Sequence, residues 1–262
     1  MARPRRRPAA LPRQWRSAPA PAVVVAVATV VLTAGCAVTG GHPEQAARPT
    51  AGPAPADAAG KRVGALFKGR LDGPRMCTAS VVASPGHNLL VTAAHCVHTA
   101  ERGTEDGLVF APGYRDRQAP YGSWPVTSVV VDPRWADDED PDYDVAFLTV
   151  GEVGGRRIED AVGANRLATG LGFGLEVTVT GYPNESAEPV SCLARTTSLS
   201  PTQERFDCAG YTDGTSGSPW VTGGDRLVGV IGGHEEGGLT PDTSYSITFD
   251  DRVAAVYREA TS

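Results

Sequence analysis

The apolar positions from residue 61 onward fall into short runs rich in Val, Ile, Thr and aromatic residues, with clusters of Gly, Pro and Asp between them. Short runs at this spacing are typical of β-strands in a sandwich or barrel. With 31 Gly and 21 Pro, the chain has little room for long helices. An all-β fold is therefore predicted. The predicted strands are 63–67, 78–82, 88–92, 126–131, 145–150, 177–181, 227–231 and 245–249.

One helix is predicted, over Asp251–Ala260 at the end of the chain. Val253, Val256 and Tyr257 follow the i, i+3, i+4 spacing and so lie on one helical face. An aspartate at the start of this segment can accept a hydrogen bond from the free backbone N–H groups of the first turn.

The N-terminal residues have the pattern of an export signal. Residues 1–16 are rich in Arg, residues 22–34 are an uncharged apolar run, and small residues follow. Thirteen apolar residues are short for a membrane span. We therefore predict a signal peptide over 1–35, with an uncleaved N-terminal anchor helix as the alternative.

Residues 32–36 (LTAGC) resemble a bacterial lipobox, which places a lipid on Cys36. The alternative is an ordinary signal peptide with an incidental Cys. Residues 36–60 are rich in Pro and Ala and lack apolar periodicity, so they are predicted to be a tether or propeptide. The folded domain is then expected over 61–262, in an exported bacterial protein that is either secreted or a cell-surface lipoprotein. Any membrane contact is expected only through the lipid on Cys36.

The charge balance argues against a nucleic-acid-binding protein. All six charged residues in 1–35 are Arg, so residues 36–262 carry 18 basic and 30 acidic side chains. A chain of this sign does not supply the basic face that phosphates require.

Four cysteines lie within the predicted domain. An exported protein can keep them as disulfides, and four cysteines allow three connectivities. Pairing neighbours in sequence is the economical one and predicts Cys77–Cys96 and Cys192–Cys208. None of them has CxxC spacing, so no metal site is predicted.

Three short stretches carry candidate chemistry. His95 lies in TAAHC beside a cysteine, where a disulfide would fix the backbone of a general base. Asp144 begins the apolar strand DVAFL, and a buried carboxylate there needs a partner such as an imidazole N–H. Ser216 lies in GTSGSP, where a tight turn can point the N–H groups of Gly214 and Ser216 the same way to form an oxyanion hole.

Together, the order His, Asp, Ser and the motifs TAAHC, DVAFL and GTSGSP resemble those of trypsin-like (chymotrypsin-fold) serine peptidases over about residues 63–258. The serine loop is closer to the bacterial glutamyl-endopeptidase-like branch, whose motif is GNSGSP. The resemblance implies two antiparallel six-stranded β-barrels with the site between them. The first barrel would cover about 61–160 and the second about 165–250.

The resemblance also implies the roles of individual residues. Ser216 is expected to be the nucleophile, His95 the base and then the acid, and Asp144 the group that orients His95. The Gly214 and Ser216 amides are expected to form the oxyanion hole, with no cofactor. The expected substrates are polypeptides with an uncharged side chain before the cleaved bond. The residues expected to line the substrate pocket are Gly210, Tyr211, Ile231, Gly232 and Gly233.

Two other functions stay open at this point: a catalytically idle member of the fold that binds a partner, and an exported esterase using the same triad. A monomer is expected in each case. In the trypsin branch, an Asp before the nucleophile pairs with the N-terminus that activation cleavage creates. That position is Thr215 here, so cleavage after Arg62 is not expected to be needed for activity.

Overall fold

A computed structural model of the chain describes residues 48–262. The predicted signal peptide, Cys36 and the first part of the predicted tether lie outside the described residues. In the described part, no helix is both long and apolar enough to cross a membrane. The strands are β1 (Gly52–Pro53), β2 (Val63–Lys68), β3 (Arg75–Val82), β4 (Leu89–Thr92), β5 (His98–Thr99), β6 (Gly103–Thr104), β7 (Leu108–Pro112), β8 (Trp124–Val131), β9 (Ala146–Val150), β10 (Arg166–Leu167), β11 (Glu176–Gly181), β12 (Val190–Arg195), β13 (Thr197–Ser198), β14 (Gln203–Asp207), β15 (Pro219–Thr222), β16 (Arg226–Val230) and β17 (Thr243–Ile247). The helices are α1 (Pro133–Asp138), α2 (Ile158–Val162) and α3 (Asp251–Ala260).

The first lobe is a closed antiparallel barrel in the order β2-β3-β4-β9-β8-β7. Strands β4 and β9 are mostly apolar because both of their faces are covered. Leu90 and Leu148 point into the barrel core, whereas Leu89 and Phe147 pack in a second cluster with residues of α3. This double burial fixes the ends of β4 and β9, where the segments bearing His95 and Asp144 lie.

The second lobe consists of a six-stranded sheet, ordered β1-β12-β11-β15-β16-β10, and a three-stranded sheet, ordered β13-β14-β17. Its core contains Trp220, Phe206 and Val179. The predicted disulfide Cys192–Cys208 joins β12 to the residue after β14 and packs in this core. The predicted disulfide Cys77–Cys96 is also formed, in the first lobe. Both predicted pairings are therefore confirmed.

The terminal helix α3 has the predicted bounds. The Asp250 side chain caps it by accepting a hydrogen bond from the Arg252 N–H. Val253 and Val256 are buried, and the Tyr257 hydroxyl donates to the Ala83 carbonyl oxygen at 2.8 Å. The helix therefore follows the second lobe in sequence but packs on strands of the first. The all-β class with a C-terminal helix is confirmed.

The segment before β2 differs from the prediction, which placed all of 36–60 outside the folded domain. Strand β1 pairs with β12, and Ala51 N–H donates to the Ala209 carbonyl oxygen at 2.8 Å. The 3-10 turn Gly60–Arg62 then leads directly into β2. This pairing uses backbone groups at the edge of a sheet, so a Pro- and Ala-rich segment can make it without any apolar periodicity.

Candidate active site

His95 and Asp144 form a buried pair at the ends of two barrel strands. His95 lies in the 3-10 turn Ala94–Cys96 after β4, which the Cys77–Cys96 disulfide ties to β3. Asp144 lies two residues before the start of β9, and its side chain is fully buried. His95 Nδ1 lies 2.8 Å from Asp144 Oδ2, and the His95 backbone N–H donates to Asp144 Oδ1 at 2.9 Å.

The environment of Asp144 keeps this carboxylate charged. Gly233 N–H donates to Asp144 Oδ2 at 2.7 Å, so three N–H groups surround the buried carboxylate. Burial alone would raise the pKa of Asp144, but the charge of His95 and these hydrogen bonds hold that pKa below its usual value. An ionised Asp144 makes His95 Nδ1 the protonated nitrogen and leaves Nε2 as the proton acceptor.

The charge of Asp144 acts on His95 in return. Burial by itself lowers the pKa of His95, whereas the negative charge of Asp144 and the hydrogen bond to it raise that pKa, and the net result lies above the ordinary value. Glu236 adds a smaller contribution in the same direction. A histidine whose pKa is raised in this way can take up the proton of a nucleophile and hold it.

The turn carrying Ser216 is pressed against the strands that lead to His95. The Thr78 N–H donates to the Ser216 carbonyl oxygen at 2.8 Å. Gly217 has φ +79°, and a Cβ there would overlap Thr92 Oγ1 and the Thr78 carbonyl oxygen. Ser216 therefore lies across the lobe boundary from β4, beside the segment containing His95. The hydrogen bonds of the His95 ring are made to Asp144, and its Nε2 makes none to Ser216 Oγ in this structure.

Two backbone amides beside Ser216 are free to bind an anion. Within residues 48–262, neither the Gly214 nor the Ser216 N–H donates to another protein group. The peptide is nevertheless fixed: the Gly214 carbonyl oxygen accepts from Thr78 Oγ1 at 2.9 Å, and a Cβ on Gly214 would overlap Asn184 Oδ1. Fixed donors of this kind can stabilise an oxyanion without reorganisation.

The residue before Ser216 carries no charge. Thr215 is buried, and its backbone N–H and Oγ1 both donate to the Thr212 carbonyl oxygen, at 3.1 and 2.7 Å. The turn is closed by the Ser218 N–H, which donates to the Thr215 carbonyl oxygen at 3.0 Å. Neutral hydrogen bonds therefore hold this turn, and Val63 already lies paired in β2.

A cavity of about 280 Å³ opens beside Ser216. Tyr211 and Ile231 are among its lining residues, and the Tyr211 hydroxyl points into the core and donates to the Val179 carbonyl oxygen at 2.7 Å. The other lining residues are Glu185, Thr212, Asp213, Thr215, Glu236, Gly237, Gly238, Leu239, Thr240, Pro241 and Ser244.

The other three residues expected in the pocket, Gly210, Gly232 and Gly233, do not line this cavity. Gly210 is hydrogen-bonded to the Pro241 carbonyl oxygen and packs on Ala51. Gly232 is pressed against Asp144, because a Cβ there would lie 2.9 Å from Oδ2. Gly233 donates to that carboxylate. The two glycines after Ile231 therefore support the buried aspartate rather than line the cavity.

Sequence analysis missed the three carboxylates at the cavity, those of Glu185, Asp213 and Glu236. Glu235 and Glu236 have φ of +52° and +53°, in the left-handed region, so this loop turns sharply after the strand. The only sequence signal was the Glu-Glu-Gly-Gly run that follows His234. Sequence spacing alone does not bring Glu185 to this place.

A family model described as "Trypsin-like peptidase domain" matches residues 77–230. The chain belongs to the trypsin-like peptidase family. This trypsin-like peptidase is also 26% identical over 183 residues to a protein of Bacillus subtilis (strain 168) named extracellular metalloprotease. That match covers 66% of this chain and 55% of the relative, so it spans little more than half of the relative's length.

Solved proteases have the same fold as this trypsin-like peptidase. A thermostable serine protease, AL20, from an extremophilic microorganism is 26% identical with a TM-score of 0.69, over 78% of this chain and 99% of AL20. The protease Anisep from Arthrobacter nicotinovorans is 24% identical with a TM-score of 0.69, over 78% and 97% of the two chains. A Glu endopeptidase is 19% identical with a TM-score of 0.66, over 82% and 98%. The last two similarities support the fold alone.

Proposed function

We propose that this trypsin-like peptidase is an exported serine endopeptidase whose catalytic residues are Ser216, His95 and Asp144. The observation that supports this proposal most strongly is the buried His95–Asp144 pair, in which three N–H groups bind the carboxylate. A histidine hydrogen-bonded to a fully buried, ionised carboxylate at the lobe boundary, beside a serine in a glycine turn, has a direct use in acyl transfer.

The proposed reaction has two halves. Ser216 Oγ attacks the carbonyl carbon of the substrate while His95 Nε2 takes the hydroxyl proton, and Asp144 stabilises the resulting imidazolium. The Gly214 and Ser216 amides bind the oxyanion of the tetrahedral intermediate. His95 gives its proton to the leaving amine, which leaves an acyl group on Ser216. Water then attacks this ester, His95 takes the water proton, and the acid is released as Ser216 regains its proton.

The name of the Bacillus relative, a metalloprotease, raises a metal-dependent reaction as an alternative. In residues 48–262, one group of possible ligand atoms lies close enough together to hold an ion, formed by Cys77, His95 and Cys96. The two sulfurs are joined in a disulfide, so neither is the thiolate that a zinc site uses. His95 Nδ1 is bonded to Asp144. These donors do not fit a metal ion.

The cavity beside Ser216 supports a substrate side chain that is uncharged or cationic. Its charged lining residues are Glu185, Asp213 and Glu236, and the lining residues include no Lys, Arg or His. A substrate carboxylate entering this cavity would lack a cationic partner and would be repelled by these three groups. Cleavage after Glu, the preference in the name of the Glu endopeptidase, is therefore not expected for this chain.

Export is proposed from two independent features. The two disulfides are typical of proteins that fold in oxidising compartments, and the Bacillus relative is named extracellular. Lipid on Cys36 and a monomeric state are further parts of this proposal. Mass spectrometry of the mature N-terminus tests the lipid, since an unmodified terminus downstream of residue 36 contradicts it.

The catalytic assignment is tested by comparing single variants in peptide hydrolysis. We expect Ser216→Ala and His95→Ala to lose at least about 1,000-fold in kcat/KM while unfolding at the wild-type temperature. Ser198→Ala is the matched control, because Ser198 is exposed on a hairpin of the second lobe. Residual activity of more than a few per cent in Ser216→Ala contradicts the assignment. Parallel peptide and ester substrates distinguish an endopeptidase from an esterase.

A further inference from the structure

The position of Asp144 depends on a loop amide from the other lobe. Gly233 N–H donates to Asp144 Oδ2, and Gly233 follows β16 in an irregular segment with φ +79°. A backbone amide outside regular structure is placed only as well as its own loop is held. The residue that holds this loop therefore influences the catalytic carboxylate.

The Gln203 side chain holds that loop. Gln203 lies on β14, is 5% exposed, and accepts a hydrogen bond from the His234 N–H at 3.2 Å through Oε1. It also packs directly on Gly233, because a Cβ on Gly233 would lie 2.5 Å from Gln203 Oε1. The amide oxygen of Gln203 thus holds both Gly233, whose N–H binds Asp144, and the following residue, His234.

The other end of the same amide binds the segment that leads to Asp144. Gln203 Nε2 donates to the Pro141 carbonyl oxygen at 3.0 Å and to Asp142 Oδ1 at 2.8 Å. Pro141–Tyr143 form a 3-10 turn that ends at Asp144. Both protons of the amide are used, so a side chain of the same length without this group loses every one of these contacts.

We propose that Gln203 is a positioning residue for catalysis. Its side chain sets the Asp144 carboxylate by joining the turn that leads to Asp144, in the first lobe, to the loop in the second lobe whose Gly233 N–H binds that carboxylate. The inference rests on the proposed function of the His95–Asp144–Ser216 site. Gln203 acts through Asp144 and makes no contact with substrate. Its loss changes the chemical step rather than substrate binding, because small displacements of catalytic groups slow the reaction steeply.

The test uses the full chain with Gln203→Met, which keeps the length of the side chain and removes its amide. We expect kcat to fall about 10- to 100-fold with KM within about threefold. We also expect the lower limb of the pH profile of kcat/KM to move to lower pH, because a misplaced Asp144 supports the imidazolium less well. Gln118→Met is the matched control on an exposed glutamine and should behave as wild type.

A double-mutant cycle with Asp144→Asn separates positioning from general stability. If Gln203 acts through Asp144, Gln203→Met should have little further effect on kcat in the Asp144→Asn background. Unchanged kcat and pH profile in Gln203→Met, or equal effects in both backgrounds, overturn the proposal whatever happens to the unfolding temperature.

If Gln203→Met does not fold, Gln203→Glu replaces it with the same readouts. Failure of both variants to fold makes the role of Gln203 structural and also overturns the proposal. Wild-type hydrolysis is measured alongside. An inactive wild type refutes the proposed function itself, whereas an active wild type with an unaffected Gln203→Met refutes only this inference.

Discussion

Replacing Gly217 with alanine tests whether the Ser216 turn is held by close packing against β3 and β4. Gly217 has φ +79°, where an alanine costs about 1–2 kcal/mol in backbone strain. Its Cβ would also overlap Thr92 Oγ1 and the Thr78 carbonyl oxygen, both in buried strands. Overpacking of this kind costs about 1–3 kcal/mol more. We therefore expect Gly217→Ala to lower the free energy of unfolding by about 2–5 kcal/mol and to abolish peptide hydrolysis.

Gly69→Ala is the matched control for this substitution. Gly69 has the same φ of +79°, but nothing lies within 4 Å of the position its Cβ would take. It should therefore show only the backbone cost of about 1–2 kcal/mol and keep its activity. Urea unfolding of both variants gives the two free energies. Equal destabilisation of the two variants, or full activity in Gly217→Ala, would refute the argument that this turn is locked onto the strands of the first lobe.

Four further results are expected. Because Asp144 raises the pKa of His95, and His95 must be neutral to act as a base, kcat/KM should rise with pH through a value above 6.5, and Asp144→Asn should move that limb to lower pH. Burial raises the pKa of Glu204 from 4.5 to about 7, and its Oε2 has no hydrogen-bond partner. The fold therefore disfavours the charged form, and its free energy of unfolding falls as pH rises from about 4.5 to 7. In urea unfolding, Glu204→Gln should flatten this dependence on pH and stabilise the protein at pH 8 by up to about 3 kcal/mol. Glu236→Gln should raise cleavage after Glu relative to cleavage after Lys by about two- to fivefold in a peptide panel, as expected for one exposed charge. The chain with Arg62→Gln should bind an active-site titrant without being cut. A requirement for cleavage near residue 62 would contradict the interpretation that the neutral Thr215 makes activation cleavage unnecessary.

The parts of the fold that were predicted correctly are those where one strong local pattern in the sequence determines the structure. Helix α3 has the predicted bounds, since its apolar face and capping aspartate are both local signals. Strand β4 was visible as an apolar run because both of its faces are buried. Strand β14 was missed because it buries the polar Gln203 and Glu204 beside Phe206, and this pattern resembles neither an alternating nor an apolar strand.

The candidate site divides in the same way. His95 and Asp144 could be proposed from short motifs, because the residue types themselves carry the chemistry. The residues that hold the Asp144 carboxylate could not be proposed, since Gly233 lies 89 positions from Asp144 in sequence. Gln203 likewise contacts Asp142 from the other lobe. Contacts of this length follow from how the two lobes pack, and no local pattern in one sequence encodes them.

Covalent labelling of the wild-type protein tests the central assignment most directly. A fluorophosphonate reacts with a serine that a neighbouring base has activated, and peptide mapping by mass spectrometry then identifies the modified residue. We expect one label per chain, on Ser216, with labelling lost in His95→Ala and hydrolysis lost in proportion to the label. A fully active protein that takes up no label, or that carries it on a residue other than Ser216, would contradict the proposed serine peptidase mechanism.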